Sequence, residues 1–182
     1  RNRRAMRAIL NSSGFDAFYS ATKDYLQPIL TTLALSLPVL VMLDETKRSS
    51  VVIGAVYFCI YLMTSYASRS ADRVEGRFGD LAKAVNGTFG LGAVLLLVAG
   101  LAAWQDLPAL SVAVFLGLFV LFNVRRPLTV AFVSDQISHR VMASGLSAES
   151  QLKTLLMAGL APIVGALADA LGVGAALAIM AG

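Results

Sequence analysis

Residues 81–103 read LAKAVNGTFGLGAVLLLVAGLAA, and after a short turn residues 107–133 read LPALSVAVFLGLFVLFNVRRPLTVAFV. The first stretch carries one charged residue, Lys83, and the second carries only Arg125 and Arg126. An α-helix rises about 1.5 Å per residue, so about 20 mostly apolar residues cross a hydrocarbon layer of about 30 Å. Both stretches are long enough, and both predict membrane-spanning helices. Working outward, the same pattern recurs at 26–43 (LQPILTTLALSLPVLVML), 51–66 (VVIGAVYFCIYLMTSY) and 150–167, and begins again at 171–182. Pro28 and Pro38 are expected to bend the first of these spans without ending it. The expected fold is all-α: a polytopic membrane helical bundle over 26–182, with the last helix incomplete at Gly182.

Composition agrees. The 182 residues are 57% hydrophobic and 14% charged, with a mean hydropathy of +0.73. Soluble domains carry about 25% charged residues. A water-soluble fold of this size could not hide so much apolar surface. Cys59 and His139 are single, so neither a disulfide framework nor a multi-histidine metal site is expected. No cofactor is expected: the chain has no glycine-rich phosphate loop, no metal-ligand cluster and no nucleophile elbow, and an enzyme is not expected. The net charge of +4 adjoins apolar runs and lacks interleaved aromatics, which argues for membrane orientation and against nucleic acid.

The connections are short and polar: 44–50 (DETKRSS), 68–80 (SRSADRVEGRFGD), 105–108, 135–144 (DQISHRVMAS) and 169–172. Basic residues concentrate at Arg1, Arg3, Arg4, Arg7, Arg69, Arg73, Arg77, Lys83 and Arg140, against Lys47 and Arg48 on the other side. By the positive-inside rule the amino end is expected in the cytoplasm, in a prokaryotic cytoplasmic membrane. Residues 1–25 read as a cytoplasmic basic segment followed by an interfacial amphipathic helix. Phe15, Phe18, Tyr19 and Tyr25 mix there with Asp16, Ser20, Lys23 and Asp24. The alternative is the polar start of a long, tilted first span.

Two constellations suggest conformational machinery. In the 68–80 loop, Asp72 and Glu75 are expected to pair with Arg73 and Arg77 across a tight turn at Gly76, clamping two helix ends. Ala161, Gly165 and Asp169 are four apart, a spacing of small residues that lets helices approach closely. Gly172 would then end the helix.

Together these features resemble the major facilitator superfamily of secondary transporters. Asp72, Arg73, Gly76 and Arg77 resemble its glycine-x-x-x-aspartate-basic-x-glycine-basic signature, with Ser68 replacing the first glycine and Glu75 inserted before Gly76. Pro162, Gly165, Asp169 and Gly172 look like the end of that family's eleventh helix. The stretch from Arg126-Pro127 to Ser144 looks like its tenth-to-eleventh connection. The resemblance covers nearly the whole chain and implies the carboxyl-terminal six-helix half of a longer protein. It further implies an amino-terminal six-helix half as partner, a small-molecule substrate, and proton-coupled alternating access. A non-transporting membrane scaffold or sensor on the same helices is the alternative.

Charges within spans mark candidate sites, because each is costly in lipid. Arg125 and Arg126 either present one guanidinium to a central cavity, there to hold an anionic group, or both snorkel to the cytoplasmic headgroups or pair with Asp135. Consecutive helical residues point about 100° apart, so at most one faces a cavity. Glu149 and Lys153, four apart with the acid first, are expected to pair on one helix face. Their functional reading is a carboxylate that binds and releases a coupling proton.

Overall fold

Caps and prolines set where the helices begin and stop. The computed structural model describes residues 3–137 and 141–181, and among them every regular element is helical. The helices are α1 (Arg3–Thr22), α2 (Leu26–Ser36), α3 (Glu45–Ala67), α4 (Ala71–Phe78), α5 (Leu81–Trp104), α6 (Pro108–Gln136), α7 (Met142–Leu171) and α8 (Val173–Ala181). Asp44 caps α3 by accepting from the Lys47 N–H at 2.8 Å, and Asp80 caps α5 by accepting from the Lys83 N–H at 3.4 Å. Such side-chain acceptors satisfy N–H groups that the first helical turn leaves open. Pro108 sits in the first turn of α6, where its missing N–H costs nothing.

The first span differs from expectation in both directions. Pro38 ends α2 outright: Leu37 before it is extended at φ −78°, ψ 137°. Residues preceding proline avoid the helical region for steric reasons. Leucine and valine side chains at 39–43 are exposed in an irregular segment. Toward the amino end the helix keeps going. A 3-10 turn at Lys23–Tyr25 links α1 to α2, shortly before Pro28. The proline ring crowds the carbonyl four residues back, that of Asp24, and removes its donor. The boundary expected at residue 25 is therefore a tightening within one rod over 3–36. Residues 14–25 do not form a one-faced interfacial helix. Phe15, Ala17, Tyr19, Ala21 and Thr22 are buried in the bundle.

A second 3-10 turn, Ser68–Ser70, joins α3 to α4. Four helical rods are long and apolar enough to cross a membrane: 45–78, 81–104, 108–136 and 142–171. The last is longer than the 150–167 expected. The chain is thus a membrane-type helical protein. Its perimeter agrees, with Phe58, Tyr61, Leu91, Val94, Leu155 and Ile163 exposed on several faces. An apolar rim of that extent suits lipid and not water.

The central pair is α5 and α6. Helix α5 packs on α6 and α8, α1 on α7 and α6, and α2 on α3 and α6. Leu96, Ala99, Phe115, Leu118 and Leu121 join Leu26, Leu30 and Leu177 in one core. The Ser111 hydroxyl, which is buried, donates to the Ala99 carbonyl at 2.9 Å and ties α6 to α5. Helices α5 and α8 approach each other closely. A Cβ on Gly100 would lie 2.5 Å from the Ala178 nitrogen, and one on Gly174 would collide with the Trp104 backbone.

That seam replaces the one expected on α7. Ala161, Pro162 and Asp169 are exposed, and the nearest atom to a Cβ on Gly165 is the Tyr25 hydroxyl at 4.0 Å. No described helix packs closely on that stripe. Gly172 does end α7, at φ +86°. The expected clamp is also corrected. Asp72, Arg73, Gly76 and Arg77 all lie within α4, and the turn is made by Gly79 at φ +69°. No ion pair within 4.0 Å joins these charges among the described residues. Instead α4 docks through Ala71 and Val74 against Val85, Val124 and Leu128. Arg1, His139, Arg140 and Gly182 lie outside the described residues.

Candidate functional site

Arg125 is the largest fully buried side chain, with 1% of its surface exposed. By helical rise it lies about 26 Å from the start of α6 and about 16 Å from its end. Its terminal nitrogens donate to the Val85 carbonyl, to Thr88 Oγ1 at 2.8 Å and to Asn11 Oδ1 at 2.6 Å. The guanidinium also lies 4.2 Å from the Phe15 ring centroid and 5.5 Å from that of Phe89. Its Nε is buried and makes no hydrogen bond. No carboxylate oxygen comes within 4.0 Å of it among the described residues. Neutral oxygens and aromatic faces solvate the cation, and none of them cancels its charge.

Arg126 points the other way. It is exposed and lines an outer groove with Ser68, Asn123 and Pro127. The pair thus splits as helical geometry requires, one arginine in and one out. Proline at 127 leaves the helix without one N–H donor, and the Thr129 hydroxyl bonds back to the Arg126 carbonyl at 3.0 Å.

Glu149 and Lys153 do not pair with each other. The Ser12 hydroxyl donates to Glu149 Oε1, and the Ser13 hydroxyl donates to the Glu149 carbonyl at 2.9 Å. Lys153 reaches Asp16 Oδ2 at 3.7 Å, with both side chains partly buried. These contacts join α1 to α7. Asp16 also feels the charges of Arg125 and Arg126. The three sequence candidates Arg125, Glu149 and Lys153 therefore belong to one polar layer that α1 completes. Arg126 and the α4 charges lie outside it.

The α1 members of that layer, Asn11, Ser12, Ser13 and Asp16, are not among the sequence candidates. One signal for them exists: Asn11, Phe15 and Tyr19 recur every four residues, as do Ser12 and Asp16. That spacing marks a helix face aimed at neighbours.

Two spaces border the residues that hold Arg125. On one side is a groove of about 390 Å³ lined by Arg7, Ala8, Asn11, Ala82, Asn86, Phe132 and Gln136. The amide of Asn11 donates to Asn86 Oδ1 at 3.0 Å along its wall. On the other side is an aromatic cavity of about 200 Å³ lined by Phe15, Phe18, Tyr19, Phe89, Gly92 and Leu96. Tyr19 is held there by stacking on Phe122, with centroids 3.9 Å apart and planes 8° apart. Among the described residues no group of three or more His, Cys, Asp or Glu is placed to hold a metal.

No family model, curated protein or solved structure matches this chain.

Proposed function

We propose that this chain is the carboxyl-terminal six-helix half of a secondary active transporter of the major facilitator type. It moves a small anionic or zwitterionic solute by alternating access and is driven by protons. The observation that carries this reading is Arg125, a buried cation with no carboxylate oxygen within 4.0 Å among the described residues. Retaining such a charge inside an apolar bundle is costly unless a ligand uses it. A solute anion would supply a direct ion-pair partner, which Asp16 is too far away to be, and an amino-terminal half would supply the other wall of the path.

The coupling proton is assigned to Asp16. Lys153 on α7 and Arg125 and Arg126 on α6 are the charges around it, with Glu149 one turn away on α7. Protonation of Asp16 removes its half of the ion pair and frees α1 from Lys153. Loss of the proton restores the link. The sequence resemblance at Asp72–Arg77 and at Pro162–Gly172 is what supports the family assignment, and the basic loops support a cytoplasmic amino end.

The test is uptake into proteoliposomes by the intact protein, with and without a pH gradient. Gradient-driven flux of an anionic solute, reduced at least tenfold by Arg125→Gln, is expected. Absence of gradient-driven flux across a broad solute panel would overturn the reading in favour of a membrane scaffold or sensor.

A further inference from the structure

We propose that the ligand of Arg125 is an amphipathic organic anion: a carboxylate on the guanidinium, with a ring-sized apolar body in the adjoining aromatic cavity. This deepens the transporter reading and rests on its assignment of Arg125 as the anion site.

Three observations carry it. The first is the cavity. Its walls are Phe15, Phe18, Tyr19, Phe89, Gly92 and Leu96, and its volume is about 200 Å³. An apolar cavity of about 150 Å³ stays dry and accepts benzene. A six-membered ring therefore fits here.

The second is the position of the charge. Phe15 and Phe89 line the cavity, and the same two rings carry the Arg125 guanidinium. Their centroids are 5.7 Å apart. Those two side chains thus stand between cation and cavity. A short linker between a carboxylate and a ring spans that step once Phe15 turns aside.

The third is the seat of Phe15 and its neighbour Asn11. A Cβ on Gly92 would lie 2.5 Å from Phe15 Cε2, so the absence of a side chain at 92 is what admits the ring. One turn earlier on α1, the Asn11 amide oxygen takes the guanidinium hydrogen bond at 2.6 Å. A neutral oxygen there stands where a carboxylate oxygen would bind more strongly. A groove with Arg7 at its wall adjoins the same Asn11 side chain. Asn11 and Phe15 are four apart on one face of α1, so one displacement of α1 uncovers both the cation and the ring pocket.

The test is calorimetric titration of the purified full-length protein in micelles with phenylacetate, acetate, inorganic phosphate, benzyl alcohol and laurate. Phenylacetate is expected to bind at least tenfold tighter than each of the others. Arg125→Lys is expected to weaken it at least fivefold. Gly92→Ala, which crowds only the movable tip of Phe15, is expected to weaken phenylacetate at least fivefold while acetate changes less than twofold. Equal binding of acetate or phosphate would overturn the proposal in favour of a small inorganic-type anion site. Equal binding of laurate would overturn it in favour of a lipid site. Unchanged phenylacetate binding in Gly92→Ala would remove the cavity from the proposal and so overturn it. Gradient-driven flux is measured alongside. Flux of other solutes without phenylacetate binding overturns this inference and leaves the transporter reading standing. Phenylacetate binding without any gradient-driven flux supports the site and overturns the transporter reading.

Discussion

The α5–α8 seam and the α1–α7 seam join helices by opposite means. Across the first, Gly100 and Gly174 bring two backbones into contact, and the fit is one of shape. Across the second, Ser12, Ser13 and Asp16 reach Glu149 and Lys153, and the fit is one of charge and hydrogen bonds. Burial divides the same way. Helix α5 buries Ala84, Val85, Leu96, Ala99 and Ala102, whereas α7 buries only Val164 along 30 residues. A shape-locked seam cannot be loosened by a proton. A seam of carboxylates, hydroxyls and an ammonium can, so under the proton-coupled reading the responsive part would be α1 and α7.

The comparison breaks first, if it breaks, at glycine. Gly174→Ala should be the most damaging change, because its Cβ would meet the Trp104 backbone, which cannot move aside. Overpacking of this kind costs about 3 kcal/mol. Thermal unfolding in micelles should show a large fall in Tm or no folded protein. Gly165→Ala is the matched control on α7. With only the Tyr25 hydroxyl 4.0 Å away, its effect on stability should stay within about 0.5 kcal/mol. Similar losses at both glycines would erase the distinction.

Asp16→Asn probes the polar seam. The ion pair is partly exposed, so its removal should cost only about 0.5 kcal/mol in stability. Under the proton-coupled reading, uptake should nevertheless lose its dependence on the pH gradient. A variant with normal gradient dependence would take the coupling role from Asp16. Arg126→Gln should change uptake less than twofold, against the tenfold loss expected at Arg125, since Arg126 faces outward.

The smallest effect concerns Asp44 at the α3 cap. The Lys47 N–H and ammonium hold its carboxyl below the ordinary value of 3.8. A lowered carboxyl contributes its stabilisation above that pH and loses it as the pH falls through the lowered value. Protection of the Lys47 amide should therefore fade on acidification, and Asp44→Asn should remove the pH dependence while keeping a cap.

Legibility in the sequence varies with the physics of each element. Helix α5 is readable almost to the residue, because a long, mostly apolar run lies between a capping aspartate at 80 and polar Gln105-Asp106. Arg125 stands out for the opposite reason, as a charge in an apolar run. Its partners do not: Asn11 and Thr88 lie 114 and 37 residues away in sequence, and only packing brings them together. Helix α1 misleads because its polar residues look solvated when no partner is visible. In the fold, Glu149, Lys153 and Arg125 serve as that partner. Pro38 shows a different limit. Proline inside an apolar run can bend a helix or end it, and the packing around it decides between the two. Here α2 closes at Ser36, and residues 37–43 of the expected span leave the helix.

The 3-10 turn at Lys23–Tyr25 would make α1 a lever if the rod pivoted there. Above it α2 is fixed to α3 and α6, while below it α1 is tied chiefly to α7. With a helical rise of about 1.5 Å, the arm from Thr22 to Arg3 is about 28 Å long. A tilt of about 10° at the turn would carry Arg3 about 5 Å, Asn11 about 3 Å and Phe15 about 2 Å. Tyr25 would scarcely move. The gain in travel grows toward the amino end, so one small rotation uncovers Asn11's hydrogen bond before it disturbs the aromatic stack at Tyr19.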